Sequence, residues 1–99
     1  MGNLKKVLSE KINLQKKLIK NEKIINKIIN LFVKTLNNNN TIYICGNGGS
    51  ASDAEHLSTE FLVRLRPKVN RKPYSIINLG MNIPYITACA NDYSFEEIF

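Results

Sequence analysis

The sequence has no apolar run of the roughly 18 residues that a membrane span requires. Its start, MGNLKKVLSEK, has lysines but lacks the apolar core of a signal peptide. Lys6 stands where the myristoylation pattern has Ser or Thr. Proline is scarce, at three in 99 residues, and 43% of the chain is hydrophobic, which is typical of one globular domain. We therefore expect a cytoplasmic protein with no membrane partner.

Cysteine is also scarce. Cys45 and Cys89 lie 44 positions apart in apolar surroundings. Metal-binding or disulfide pairs in short chains usually have closer, patterned spacings. We expect both residues to be buried, reduced thiols.

Clustered arginine and interleaved aromatic residues, which are typical of nucleic-acid-binding arms, are missing from the basic part of the chain. The net charge is +6, and residues 1–37 hold nine lysines against two glutamates, a balance of +7. These lysines alternate with Ile and Leu at a helical period. We interpret them as the solvated face of helices and expect no nucleic-acid partner, although strong salt-dependent binding to duplex DNA would reverse this interpretation.

The hydrophobic pattern predicts helices alternating with strands. Apolar residues recur every three to four positions over residues 4–19 and again over 24–36, and the run Asn37–Asn40 ends the second helix. Thr41–Cys45 and Tyr74–Leu79 are short, β-branched segments typical of buried strands. A helix is expected from Ser50 to about Leu65, with one side formed by Ala51, Ala54, Leu57, Phe61 and Leu62. Two shorter helices are expected, one from Ile83 to about Ala90 and one over residues 95–99 with Ser94 as its cap. This order favours an α/β fold with parallel strands.

The segment Cys45–Glu60, CGNGGSASDAEHLSTE, is the strongest functional signal in the chain. A glycine loop between a parallel strand and a helix lies at the carboxyl edge of the sheet, where α/β proteins bind ligands. Glycines let a phosphate or a sugar hydroxyl approach the backbone, and a helix start attracts anions. The loop has neither the lysine of a Walker motif nor the G-x-G-x-x-G spacing. A tight turn with Ser50 as N-cap and Asp53 completing a capping box is the simpler explanation, and both can hold together.

His56 and Glu60 are four residues apart and so share one helical face, with Asp53 one turn earlier. This spacing suits two metal ligands or a carboxylate base beside an imidazole. A surface ion pair has the same spacing. Two ligands are too few for zinc, so further ligands would have to come from elsewhere.

Three segments together make the chain resemble the sugar isomerase (SIS) domain family, and within it the phosphoheptose isomerases. They are Gly46-Asn47-Gly48-Gly49-Ser50, the Asp53-Ala54-Glu55-His56 stretch with Glu60, and Ala88-Cys89-Ala90-Asn91-Asp92-Tyr93. The resemblance implies the N-terminal half of a SIS-type, flavodoxin-like parallel-sheet sandwich preceded by two long helices. Residues 1–40 would be a helical oligomerisation segment, and residues 41–99 the first half of a sugar-phosphate-binding domain.

The resemblance also implies functional roles. The activity would be the isomerisation of D-sedoheptulose 7-phosphate to D-glycero-D-manno-heptose 7-phosphate, which supplies heptose for surface glycans. The implied catalytic residues are Glu60, as the base, and His56. The substrate would contact Asn47, Gly48, Gly49, Ser50, Asp53, Glu60, Asn91 and Asp92. In zinc-binding members of the family His56 and Glu60 are metal ligands, so Glu60 has two implied roles.

Family members are homotetramers with sites at subunit junctions. The family's second phosphate loop and its late Gln and His lie beyond residue 99. We therefore expect a chain that breaks off within a domain to be inactive alone.

Other functions remain open. One is a non-catalytic SIS module that binds a sugar phosphate or a replication-initiator protein. Relatives of that kind tend to lose the acidic residues at Asp53 and Glu60, both of which are present here. Another is a SIS enzyme with a different sugar phosphate, such as an amino sugar derivative.

Overall fold

The computed structural model describes residues Gly2–Phe99. They form two compact units, one extending to Lys34 and the other spanning Thr35–Phe99. Helices α1 (Leu4–Leu18) and α2 (Glu22–Asn37) come first. Strand β1 (Ile42–Ile44), helix α3 (Gly49–Leu62), strand β2 (Ile76–Asn78) and helix α4 (Ile83–Asp92) follow. The predicted α/β order of elements is confirmed.

The two N-terminal helices follow each other with little interruption. Asn3 caps α1, because its side-chain oxygen accepts a hydrogen bond from the Lys5 N–H at 3.0 Å. The predicted break near Asn21 is a single 3₁₀ turn, Ile19–Asn21. The backbone keeps right-handed helical angles at Leu18, Ile19 and Glu22, so the chain does not reverse direction there.

The asparagine run ends α2 through a Schellman motif. Asn39 has a φ of 58°, in the left-handed region that asparagine tolerates better than most residues. The Asn39 N–H donates to the Leu36 carbonyl and the Asn40 N–H to the Thr35 carbonyl, each at 3.0 Å. The predicted helix stop is thus confirmed, with a specific mechanism.

Strands β1 and β2 pair in parallel, with Ile42 opposite Ile76 and Ile44 opposite Asn78. Both strands are shorter than predicted, and they form a two-stranded sheet within the described part of the chain. At the amino ends of the strands, Thr41 Oγ1 and Ser75 Oγ lie 2.8 Å apart. Parallel pairing places the carboxyl ends of both strands at one edge of the sheet, which is where the glycine loop begins.

Helix α3 packs against β2 through small side chains. Ala54 and Ser58 are its buried residues, and Ile76 of β2 is fully buried. The predicted buried face included Leu57 and Leu62, but these are 42% and 39% exposed. That part of the prediction is wrong: Ser58, a polar residue that hydrophobic patterning overlooks, is buried instead, with 2% of its surface exposed. Its hydroxyl donates to the Glu55 carbonyl at 3.2 Å, so it is buried without an unsatisfied donor.

Helix α4 is capped by Asn82, whose side chain accepts from the Tyr85 N–H at 3.0 Å. The predicted final helix is only a 3₁₀ turn, Phe95–Glu97, and Ser94 makes no side-chain capping hydrogen bond. Ile98 beyond it is buried, with 3% of its surface exposed. The chain therefore packs its last segment through one apolar side chain and not through a capped helix.

Much of the apolar surface stays open. The buried hydrophobic residues in the described chain are Leu36, Ala54, Ile76 and Ile98. Both edges of a two-stranded sheet are unpaired, and such a sheet offers little surface for burial. Within residues 2–99 no helix combines the length and the apolar character that crossing a bilayer demands.

Candidate functional site

The glycine loop connects β1 to α3 by a backbone turn that only glycine makes easily. Gly48 is the residue before the helix, and its φ of 56° lies in the left-handed region. The Ser50 N–H donates to the Asn47 carbonyl at 3.0 Å, and the Ala51 N–H donates to the Gly48 carbonyl at 3.1 Å. The helix therefore begins at Gly49.

This geometry corrects the predicted capping box. Ser50 lies inside the first turn of α3, and the capping residue makes no side-chain hydrogen bond to the helix. Asp53 is then a full turn into the helix, too far along to complete a box. Ser50 is exposed, so its hydroxyl remains accessible to a ligand.

The first glycine of the loop is required by a close approach of the backbone. A β-carbon on Gly46 would lie 2.5 Å from the carbonyl carbon and oxygen of Ser50, far inside van der Waals contact. Gly49, by contrast, has open space where a β-carbon would go. The loop thus folds tightly against the first turn of α3 and leaves the outer backbone at Gly48 and Gly49 uncovered.

His56 and Glu60 contact each other on α3, as their spacing predicts. His56 Nε2 and Glu60 Oε1 lie 2.8 Å apart. The side chain of His56 is 76% exposed and that of Glu60 is 26% exposed. Asp53, one turn earlier, is exposed and joins neither side chain by a hydrogen bond within residues 2–99. The structure therefore forms the His56–Glu60 pair without the carboxylate of Asp53.

Glu60 borders a groove of about 270 Å³. The groove is lined by one carboxylate, one guanidinium and three apolar side chains: Glu60, Arg71, Leu57, Phe61 and Leu65. An apolar lining with few polar groups is the common composition of small-molecule sites. Leu57, which was expected in the interior, lines this groove instead.

Arg71 is the main residue of this region that the sequence interpretation missed, because it lies in a loop that reads only as basic surface. Its Nη2 donates to the Glu60 carbonyl at 2.6 Å and its Nη1 to the Phe61 carbonyl at 2.8 Å. The guanidinium also lies over the Tyr74 ring, 5.0 Å from its centroid. The predicted end of α3, near Leu65 and just before Pro67, is wrong: the helix ends at Leu62, where the sequence has neither a glycine nor an adjacent proline to terminate it, and this early end is the signal that could have indicated such a partner.

Asn91 and Asp92 form a separate pair at the end of α4. Asn91 Nδ2 donates to Asp92 Oδ1 at 3.1 Å, and both residues are exposed. Within residues 2–99 no hydrogen bond links this pair to the glycine loop or to Glu60. Their predicted contact with substrate stays a prediction.

The cysteine prediction is partly wrong. Both thiols are free, as expected, but Cys45 is exposed and Cys89 is only half-buried. Cys45 follows the last residue of β1, where the chain leaves the sheet for the glycine loop.

The donors of the site do not make a complete zinc centre. Across residues 2–99, no three His, Cys, Asp or Glu side chains come together in a way that could hold a metal ion. His56 and Glu60 supply one nitrogen and one oxygen, whereas zinc in proteins takes about four ligands and at least three from protein even in catalytic sites. These two residues alone therefore cannot hold a zinc ion, and a complete centre would need further ligands.

The chain belongs to the SIS domain family. The family model matches residues 8–92, which include the glycine loop, the His56–Glu60 pair and the Asn91–Asp92 pair. The resemblance inferred from the motifs is confirmed.

Within that family the chain is a homologue of the phosphoheptose isomerases. It is 43% identical over 95 residues to the phosphoheptose isomerase of Helicobacter pylori strain ATCC 700392 / 26695, covering 96% of this chain and 48% of that protein. It is 47% identical over 75 residues to the enzyme of Shewanella frigidimarina, covering 76% and 37%. The solved structure of phosphoheptose isomerase GmhA from Neisseria gonorrhoeae superposes with a TM-score of 0.61 at 28% identity, over 93% of this chain and 50% of that one. The chain thus spans about half the length of the curated relatives it matches.

The approach of Gly46 to Ser50 predicts a specific steric defect. Gly46→Ala must displace the start of α3 or the end of β1, at a cost of about 1–3 kcal/mol. Gly49→Ala, which meets open space at a helical position, should change the free energy of unfolding by less than about 1 kcal/mol. Thermal or urea unfolding of the two variants measures the difference, and equal stabilities would show that the loop does not depend on this approach.

Proposed function

We propose that the intact protein isomerises D-sedoheptulose 7-phosphate to D-glycero-D-manno-heptose 7-phosphate, for heptose used in surface glycans. The observation that carries the proposal is the arrangement on α3, where an uncovered glycine backbone at the helix start is followed, on the same helix, by a half-buried carboxylate paired with an imidazole. The similarity to phosphoheptose isomerases supports the same reaction. A phosphorylated sugar does not cross membranes unaided, so we place the reaction in the cytoplasm.

The glycine loop suits the anionic or hydroxyl-rich part of such a substrate. Backbone amides near a helix start attract negative charge, and the uncovered positions Gly48 and Gly49 let a ligand approach closely. The side chains of Asn47 and Ser50 are exposed beside them and can hydrogen-bond a sugar. In this proposal Asp53, Asn91 and Asp92 bind further hydroxyls.

Glu60 is the proposed base. The Glu60 carboxylate accepts the proton from C1 of the ketose, the C1–H electron pair forms the C1=C2 double bond of an enediolate, and the oxygen at C2 then takes a proton from solvent to give the enediol. Return of a proton to C2, with loss of the C1 hydroxyl proton, gives the aldose, so no atom is gained or lost. The apolar lining beside Glu60 limits water access to the carboxylate. His56, 2.8 Å from Glu60, orients the carboxylate and can exchange a proton with it.

Conversion of Glu60 to glutamine tests this assignment. Glu60→Gln keeps the shape of the side chain and removes its basicity, so isomerisation and exchange of the C1 proton in deuterated water should fall by about 10²–10⁴-fold. Glu55→Gln is the matched control, since Glu55 is an exposed residue of the same helix outside the groove. Exchange that survives at the normal rate in Glu60→Gln would exclude Glu60 as the base.

We also propose that His56 and Glu60 are two ligands of a zinc ion whose other ligands lie outside these 99 residues. Bound zinc would supply Lewis-acid stabilisation of the developing oxyanion. His56→Gln should then reduce the zinc retained by the full-length protein after dialysis, measured by atomic absorption, from about one ion per subunit toward zero. Asn91→Ala, outside the pair, should leave the zinc content unchanged. Wild-type protein that retains no zinc would refute the proposal.

We further propose that copies of the protein assemble into a homotetramer through the N-terminal helices. The apolar side chains of α2 are largely exposed, among them Ile24, Ile25, Ile28 and Ile29. Such a stripe is stable in water mainly when another apolar surface covers it. Light scattering should give a tetramer mass for the full-length protein and a lower mass for Ile28→Glu, but an unchanged mass for Asn30→Glu on the opposite face. A monomeric wild type would contradict this assembly.

A further inference from the structure

Arg71 ties the loop after α3 to the turn of the helix that carries Glu60. Its Nη2 donates to the Glu60 carbonyl at 2.6 Å, and its Nη1 donates to the carbonyls of Phe61 at 2.8 Å and Lys72 at 3.1 Å. The Tyr74 N–H also donates to the Phe61 carbonyl, at 3.0 Å. The base residue and the loop eleven positions later are therefore joined by hydrogen bonds through the backbone.

Helix α3 needs such a partner because it lacks its own termination signals. Its last turn contains no basic residue, and the C-cap residue, Val63, has φ and ψ of −104° and −91°, outside the left-handed conformation of the usual caps. The last carbonyls of a helix have no intrahelical partner and carry partial negative charge. The guanidinium of Arg71 satisfies two of them and supplies the favourable positive charge.

Arg71 also lines the groove that Glu60 borders, together with Leu57, Phe61 and Leu65. The position of the guanidinium over the Tyr74 ring adds a cation–π contact to these hydrogen bonds. A flat, fixed donor that bonds two successive carbonyls restrains the rotation of the last helical turn. Lysine offers a point charge without this planar pair of donors.

We propose that Arg71 is a positioning residue for the isomerase reaction: it fixes the turn of α3 that presents Glu60, and it acts through its planar donor geometry as well as its charge. The inference rests on the proposed function of Glu60 as the base. Small displacements of a reacting group reduce turnover strongly, whereas substrate affinity set by the glycine loop is unaffected.

Steady-state kinetics of the full-length protein with sedoheptulose 7-phosphate test the proposal. Arg71→Lys keeps the charge and should lower kcat by about tenfold or more, with KM within about twofold of the wild type. Arg66→Lys, an exposed position in the same loop whose side chain makes no hydrogen bond in residues 2–99, should match the wild type. In Arg71→Ala, added guanidinium ion should restore part of the lost kcat, and ammonium should not.

Three results would overturn the proposal: equal kcat for the two lysine variants, a defect in KM alone, or loss of kcat in Arg71→Ala that follows a lower Tm and is not rescued. Hydrogen–deuterium exchange separates this proposal from the proposed function. If the wild type fails to isomerise the substrate, the proposed function is refuted, and the restraint of the last turn of α3 by Arg71 is then tested by the exchange rates of the amides of residues 60–63. Faster exchange of these amides in Arg71→Ala than in Arg66→Ala supports the restraint, and equal exchange refutes it.

Discussion

The position of α3 depends on a close approach between two backbone segments, which leaves no room for a side chain at Gly46. The loop at Gly46 passes so close to the backbone of Ser50 that even a methyl group would collide with it. This approach fixes the start of the helix against the end of β1, and the left-handed Gly48 makes the turn between them. The small residues Ala54 and Ser58 then let the helix lie on β2. Without the close approach of Gly46 to Ser50, the polar face of the helix would have no fixed orientation relative to the edge of the sheet.

The packing residues of α3 and its ionisable pair lie on opposite faces of the helix. Ala54 and Ser58 are four residues apart and face the strand, while His56 and Glu60, also four apart, are displaced from them by two residues, or about 200° of rotation. The side that packs on the sheet is therefore separate from the side that carries the ionisable pair. Substitutions on the polar face can therefore leave the packing undisturbed, and the glycine loop at one end and Arg71 at the other hold the helix in place.

Sequence patterns predicted the features that depend on local chemistry. The element order, the asparagine stop, the parallel strands and the His56–Glu60 contact all follow from period, spacing or turn preference. Features that depend on tertiary packing were missed. Ser58 is buried although it is polar, whereas Leu57, which hydrophobicity favours for the interior, is exposed. Arg71 contacts the end of α3 because of the path of its loop, and no periodic pattern in the sequence predicts that path. The predicted capping box is wrong because a glycine turn places the N-cap at Gly48, two residues before the expected N-cap at Ser50.

The His56–Glu60 contact has a simpler explanation as an ordinary surface ion pair, and the magnitudes argue against it as a complete account. An exposed pair at this helical spacing contributes only about 0.3–0.5 kcal/mol, so stability alone gives little reason for the arrangement. The two partners are also unequally exposed: the His56 side chain is mostly in solvent, whereas Glu60 lines a groove together with three apolar side chains. Partial burial of a carboxylate costs free energy unless it is compensated. A pair that served stability alone would leave both groups hydrated, and the partial burial of Glu60 at an apolar groove supports instead the role proposed for it as the base.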